Sequence, residues 1–119
     1  MQDLKIRTKI FAIDCWRLCT TIPRSREFDA WTKQLIRCSS SIGANYRASQ
    51  RAKSRADFIY KLKIVEEEAD ESIYWLELFQ EVLTPGKKEI KSLIKEANEL
   101  LAMVVVSIKT ARKNNATYK

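Results

Sequence analysis

A chain can fold back on itself only where something stops its regular structure, and this one has almost nothing to do so. It has two prolines, Pro23 and Pro85, and two glycines, Gly43 and Gly86, in 119 residues. That is too few turn residues for a many-stranded β protein, a Gly-rich phosphate loop or a flexible linker. Between the breakers, apolar residues recur at three- and four-residue steps, the period of amphipathic helices.

Four helices follow from that punctuation. The first covers about residues 3–21, with Ile6, Ile10, Phe11, Ile13 and Leu18 recurring before Pro23. A second, over about 27–50, carries a seam of Phe28, Trp31, Leu35, Cys38 and Ile42. Ser54 with Asp57 three residues on forms a capping pair for a third, over about 55–83, whose stripe runs from Phe58 through Leu62, Val65, Ala69, Ser72, Leu76 and Phe79 to Leu83. After Thr84, Pro85 and Gly86, a fourth over about 87–113 presents Ile90, Leu93, Ala97, Leu100, Val104 and Ile108, and 114–119 reads as a polar tail. Long helices joined by short connections fold back on their neighbours. The expected architecture is therefore all-α, an antiparallel up-down-up-down four-helix bundle, as a single domain over residues 1–113. The seam of the second helix, extended by the same step, lands on Asn45. An amide there needs partners, and a carboxylate of the third helix, Glu68 or Glu71, would supply one and fix the register; a binding role is the alternative.

The residue types narrow the chemistry. With no histidine in the chain, the usual general base and the usual zinc or di-iron ligand are both missing. The carboxylates Glu66, Glu67, Glu68, Asp70 and Glu71 lack the Glu-x-x-His partners of a helical di-metal site, and read as solvated or ion-paired, with Arg37 or Arg47 among the candidates. Cys15, Cys19 and Cys38 are an odd set with no fourth zinc ligand, and read as buried free thiols in a cytoplasmic protein. The longest apolar run, Leu100 to Val106, is seven residues, against about 20 for a membrane span. The expectation is a soluble protein with no catalysis, no metal and no cofactor.

The apolar residues exceed what one core needs. Seven consecutive apolar residues at 100° each go right round the fourth helix, Ile10 to Ile13 and Tyr74 to Leu76 crowd more than one face, and Trp16, Trp31 and Trp75 compete for one small interior. Homo-oligomerisation accounts for the surplus; a broad core with scattered exposed apolar side chains is the alternative.

Charge is segregated along the chain. Lys33 to Lys63 holds eight basic residues against Asp57 alone, and Ile64 to Leu83 holds seven acids and no base. In a bundle, the end of the second helix and the start of the third share one end of the molecule with the start of the first and the end of the fourth. That predicts a basic pole, and phosphate is the natural counterpart of such a surface. The expected RNA contacts are Arg47, Arg51, Lys53, Arg55, Lys61 and Lys63, with Lys5, Arg7, Lys109, Arg112 and Lys113 behind them. Tyr46, Tyr60 and Tyr118 are available to stack on unpaired bases. Two other readings stay open: a solvated, partly self-paired pole, and an oligomeric scaffold whose partner is a protein.

Three blocks carry a family resemblance. Ser41-Ile42-Gly43-Ala44-Asn45-Tyr46-Arg47, then Ser54 to Ile59 with Lys61-Leu62, then Glu68-Ala69-Asp70-Glu71-Ser72 with Tyr74 to Leu78, together resemble the bacterial 23S rRNA intervening-sequence protein, or S23, family. The resemblance implies a four-helix bundle assembled as a ring, a pentamer, with genes lying within 23S rRNA genes and elsewhere in bacterial genomes. It also implies kinship with accessory proteins of diversity-generating retroelements, which bind nucleic acid and a reverse transcriptase through a basic barrel. The family positions present here are Asn45, Arg47, Asp57, Glu68 and Glu71. One departure is Ala48, where family members often carry a glutamate.

Overall fold

The computed structural model describes the backbone of residues 3–117 and the side chains of residues 3–114. Those residues form four helices and no strand: α1 (Leu4–Thr20), α2 (Arg26–Ser49), α3 (Arg55–Val82) and α4 (Lys88–Thr117). Three starts are set by side chains that accept the helix's otherwise unpaired N–H groups. Asp3 accepts from the Lys5 amide, Ser25 from Phe28 and Ser54 from Asp57, caps worth about 1 kcal/mol each. The last also realises the Ser54 and Asp57 pairing, since the Asp57 carboxylate accepts in return from the Lys53 amide at 3.1 Å. α4 runs past the expected stop at residue 113. No glycine or proline interrupts Lys113 to Thr117, so most of the segment read as a polar tail is helical.

Cross-helix contacts fix the packing. Thr8 meets Gly43, the Ser72 hydroxyl donates to Cys38 Sγ at 3.2 Å, and Arg55 donates to the Ala111 carbonyl. Each helix packs on its chain neighbour, α1 also packs on α4, and α1 and α3 stand across the diagonal. The result is an elongated antiparallel bundle of 54 × 23 × 21 Å. Its core runs the length of the molecule, from Ile108, Leu62 and Phe11 to an aromatic end. There Phe79 packs on Phe28 and Trp31, with ring centroids at 6.2 and 5.6 Å, and Trp31 packs on Trp75.

The seams of α2, α3 and α4 are those the periodicity predicts. In α1 the buried face is Thr8, Phe11, Cys15 and Leu18, while Ile6, Ile10 and Ile13 face outward. The physical reason lies in α2. Gly43 is buried, and a methyl group placed on it would sit 3.2 Å from Thr8 Oγ1. The helices approach too closely there for an isoleucine on the inner face of α1. Thr8 fits, with its hydroxyl donating to the Lys5 carbonyl at 3.3 Å.

Asn45 does not reach a carboxylate of α3. Its Nδ2 donates to the Ser41 carbonyl at 2.9 Å and to Ser41 Oγ at 3.3 Å, within its own helix. Glu68 and Glu71 lie opposite Arg37, eight residues earlier in α2 than Asn45, which is about 12 Å along a helix.

Candidate nucleic-acid interface

At the pole where α2 ends and α3 begins, cations from three helices face one groove. Lys5 of α1, Arg47 in the last turn of α2, Arg51 in the turn that follows it, and Lys61 of α3 line it with Ala48 and Gln50, around a volume of about 370 Å³. Lys5, Arg47 and Arg51 are exposed. Lys61 is half-buried, its Nζ donating to both Asp57 oxygens at 2.7 Å. That bond, then the one from the Lys53 amide, holds the Asp57 carboxyl below its usual range. Asp57 thus caps α3 and offsets one of the groove's four charges, and the other three are left facing solvent.

The remaining expected contacts fall in different places. Lys53 is exposed in the turn before α3. Arg55, first in α3, lies beside a second groove lined by Phe58, Val106 and Asn114, next to exposed Lys109, Arg112 and Lys113 of α4. Lys63 is exposed on the outer face of α3, beyond the groove. Of the aromatic candidates, Tyr60 is exposed, Tyr46 is half-buried against the core, and Tyr118 lies outside the described residues.

Arg7 is the clear exception. It does not face the pole but lies along α4, its side chain 15% exposed, with Nε donating to Glu96 at 2.9 Å and Nη2 to both Glu96 and Glu99. Those two carboxylates raise its pKa further above the ordinary arginine value. Arg7 is a strut between helices, and its charge is already matched. Gln50 is the groove residue that the charge pattern missed, since a neutral amide at a helix end carries no such signal.

Glu68 and Glu71 sit away from the pole. Arg37 Nη1 donates to Glu68 at 3.0 Å and Nη2 to Glu71, which also accepts from Trp75 Nε1 at 3.0 Å. The indole bond, then the arginine, holds the Glu71 carboxyl below its usual range. The five family positions therefore do not converge on one site: Arg47 and Asp57 belong to the pole, Glu68 and Glu71 to the α2–α3 seam, and Asn45 to α2 itself.

Burial pushes the Cys38 and Cys19 thiols up to about 11 and Cys15 further still, far from a reactive thiolate. Among the described residues no cluster of three or more His, Cys, Asp or Glu could hold a metal ion, and no helix is long and apolar enough to cross a membrane.

Comparison with known proteins places this geometry. A protein of unknown function from the S23 ribosomal protein family of Bacteroides thetaiotaomicron, of solved structure, is similar over 90% of this chain and 99% of its own, at 33% identity and a TM-score of 0.82. No curated protein matches. The family model described as 23S rRNA-intervening sequence protein matches residues 2–106. The family match takes in the motif blocks of α2 and α3 along with most of the bundle, and the chain belongs to the 23S rRNA-intervening sequence protein family.

Proposed function

We propose that this chain is a non-catalytic, homo-oligomeric RNA-binding protein of the cytoplasm that grips phosphate at its basic pole, its subunits arranged in a ring, five in the form the family resemblance implies. The observation that carries the reading is the groove of Lys5, Arg47, Arg51 and Lys61, with Asp57 as the one acid bonded to them among the described residues. Cations so placed meet a phosphate backbone by displacing its condensed counterions, which gives affinity without base specificity. Lys53, Arg55, Lys109 and Arg112 extend the surface over the same end, and exposed Tyr60 offers a face for an unpaired base.

The test is the double variant Arg47→Gln/Arg51→Gln. Both side chains are exposed and make no ion pair among the described residues, so folding is expected to be unchanged. Each phosphate contact on single-stranded RNA contributes about 0.7 to the slope of log affinity against log salt, so the variant should lose about 1.4 from that slope. A folded variant that keeps wild-type affinity and slope sinks the assignment. A protein partner is the second reading, favoured by exposed Trp16 and Val106. It predicts salt-insensitive capture of a protein and no RNA binding.

A further inference from the structure

The second groove at the basic pole lies between the first turns of α3 and the last turns of α4, around a volume of about 490 Å³, within the usual size of a small-ligand site. Its lining is of three kinds. Phe58, half-buried against the core, and Val106, 60% exposed, give it an apolar surface. Ser107, Thr110 and Asn114 follow one another along a single face of α4 and give it a polar edge. The Ser107 hydroxyl donates to the Met103 carbonyl at 3.1 Å and keeps its acceptor sites, while the Thr110 hydroxyl and the Asn114 amide bond to no other described residue. Arg55 supplies the charge. Its Nη1 donates to the Ala111 carbonyl at 3.4 Å, which leaves most donors of the guanidinium open.

The charge around this groove is one-sided. From Ala102 to Asn114, α4 holds Lys109, Arg112 and Lys113 and no acid. In α3 the one acid before Glu66 is Asp57, whose carboxylate is taken up by Lys61 Nζ and the Lys53 amide. Glu66 and Glu99 lie eight residues from Phe58 and seven from Val106, about 10–12 Å along their helices. The complementary ligand has a flat apolar body, a hydrogen-bonding edge and a negative charge. A nucleotide of single-stranded RNA has all three. An acyl chain or an apolar side chain would cover Ser107, Thr110 and Asn114 without giving them partners.

The position of the groove fits the same ligand. Arg55 and Lys61 are six residues apart, about 9 Å along α3, so this groove and that of Lys5, Arg47, Arg51 and Lys61 flank the same two turns. A strand whose phosphates lie in the first groove reaches the second by crossing one helix, about 10–12 Å wide.

We infer that the α3–α4 groove receives one unpaired nucleobase of the RNA held at the pole, with its face on Phe58 and Val106, its edge on Ser107, Thr110 and Asn114, and its phosphate at Arg55. The inference rests on the RNA-binding part of the proposed function and specifies the form of RNA, since a base that is paired and stacked in a duplex cannot enter. Hydroxyls and an amide both donate and accept, so the edge has a partner for every base. The site selects single strands and tolerates sequence.

The test compares a short single-stranded RNA with an abasic strand of the same length and charge, by fluorescence anisotropy at one low salt concentration. The wild-type protein should bind the base-bearing strand about fivefold to 150-fold more tightly, the gain that stacking of one base supplies. The variant Val106→Gln/Thr110→Gln keeps the charge and changes two exposed helical positions to a good helix former, so circular dichroism should show an unchanged fold. It should bind the abasic strand within about twofold of wild type and lose about fivefold or more of the preference for bases. In the wild-type protein, isotope-labelled Val106 methyl resonances should shift with the base-bearing strand and hold still with the abasic one. A variant that keeps the full preference, or Val106 methyls that do not respond to bases, overturns the base site. Equal binding of both strands by the wild-type protein overturns it too but leaves the phosphate grip standing, and binding of neither overturns both.

Discussion

Arg7 separates a charge that holds the bundle together from the charges proposed to grip phosphate. Replacing it with glutamine removes a guanidinium that is 15% exposed and joins α1 to Glu96 and Glu99 of α4. An exposed ion pair is worth about 0.2–1 kcal/mol, whereas breaking a fully buried one costs about 3–5 kcal/mol. A forked, half-buried arginine on two carboxylates lies between, and Arg7→Gln should cost about 1–2 kcal/mol. For a chain of this size that lowers the melting temperature by roughly 3–8 °C, measured at fixed protein concentration so that assembly does not move the midpoint. In a double-mutant cycle with Glu96→Gln, about 1 kcal/mol of the loss should appear as coupling. RNA affinity of the folded variant should match wild type, while Arg51→Gln should do the reverse, losing affinity with no loss of stability. A stable Arg7→Gln protein that binds RNA as poorly as Arg51→Gln would refute the distinction.

Other consequences follow from the core and the titrating groups. Phe79→Ala empties the aromatic end between Phe28 and Trp31 and should cost about 3–5 kcal/mol in urea unfolding, with a shift in tryptophan emission. Asp57 and Glu71 have folded pKa values below their usual 3.8 and 4.5. They add stability that is complete above those usual values and is lost as pH falls through the depressed ones. The urea midpoint should therefore drop below about pH 4.5, less steeply in Glu71→Gln. Gly43→Ala should be tolerated with a loss of about 1 kcal/mol as Thr8 yields a few tenths of an ångström, whereas Gly43→Leu should cost more than about 2 kcal/mol through overpacking. The native protein should react with a disulfide reagent at pH 8 at least about tenfold more slowly at Cys15 and Cys38 than the urea-unfolded chain does, because both thiols are buried and protonated.

Much of the fold was written in local signals. Ser54 with Asp57, and the Thr84 to Gly86 stop, bound α3 to within a residue, because a cap or a breaker acts on its own neighbours. The α2 seam could be read because Phe28, Trp31, Leu35, Cys38 and Ile42 are apolar on a single face. α1 was harder because it is apolar on two faces, and the choice between them is made by Gly43, thirty-five residues after Thr8 in the chain. Asn45 misled for a related reason: a polar residue on a seam can satisfy itself on its own helix, here at Ser41, without crossing the core. Of the candidate site, the gathering of Lys5, Arg47, Arg51 and Lys61 was legible once topology was assumed, since helix order alone decides which ends meet. The neutralisation of Arg7 by Glu96 and Glu99 was not. It depends on the rotation of α1 against α4, which no local pattern encodes.

The central claim is that the basic pole binds RNA through phosphate. Its most direct test is binding of the purified wild-type protein to labelled ribosomal RNA fragments, single-stranded RNA and duplex DNA across a salt series. The account predicts RNA affinity at low salt that falls linearly on a log-log plot with a slope of about −2 or steeper, from three or more displaced phosphate counterions. No binding even at low salt, or binding indifferent to salt, would contradict it.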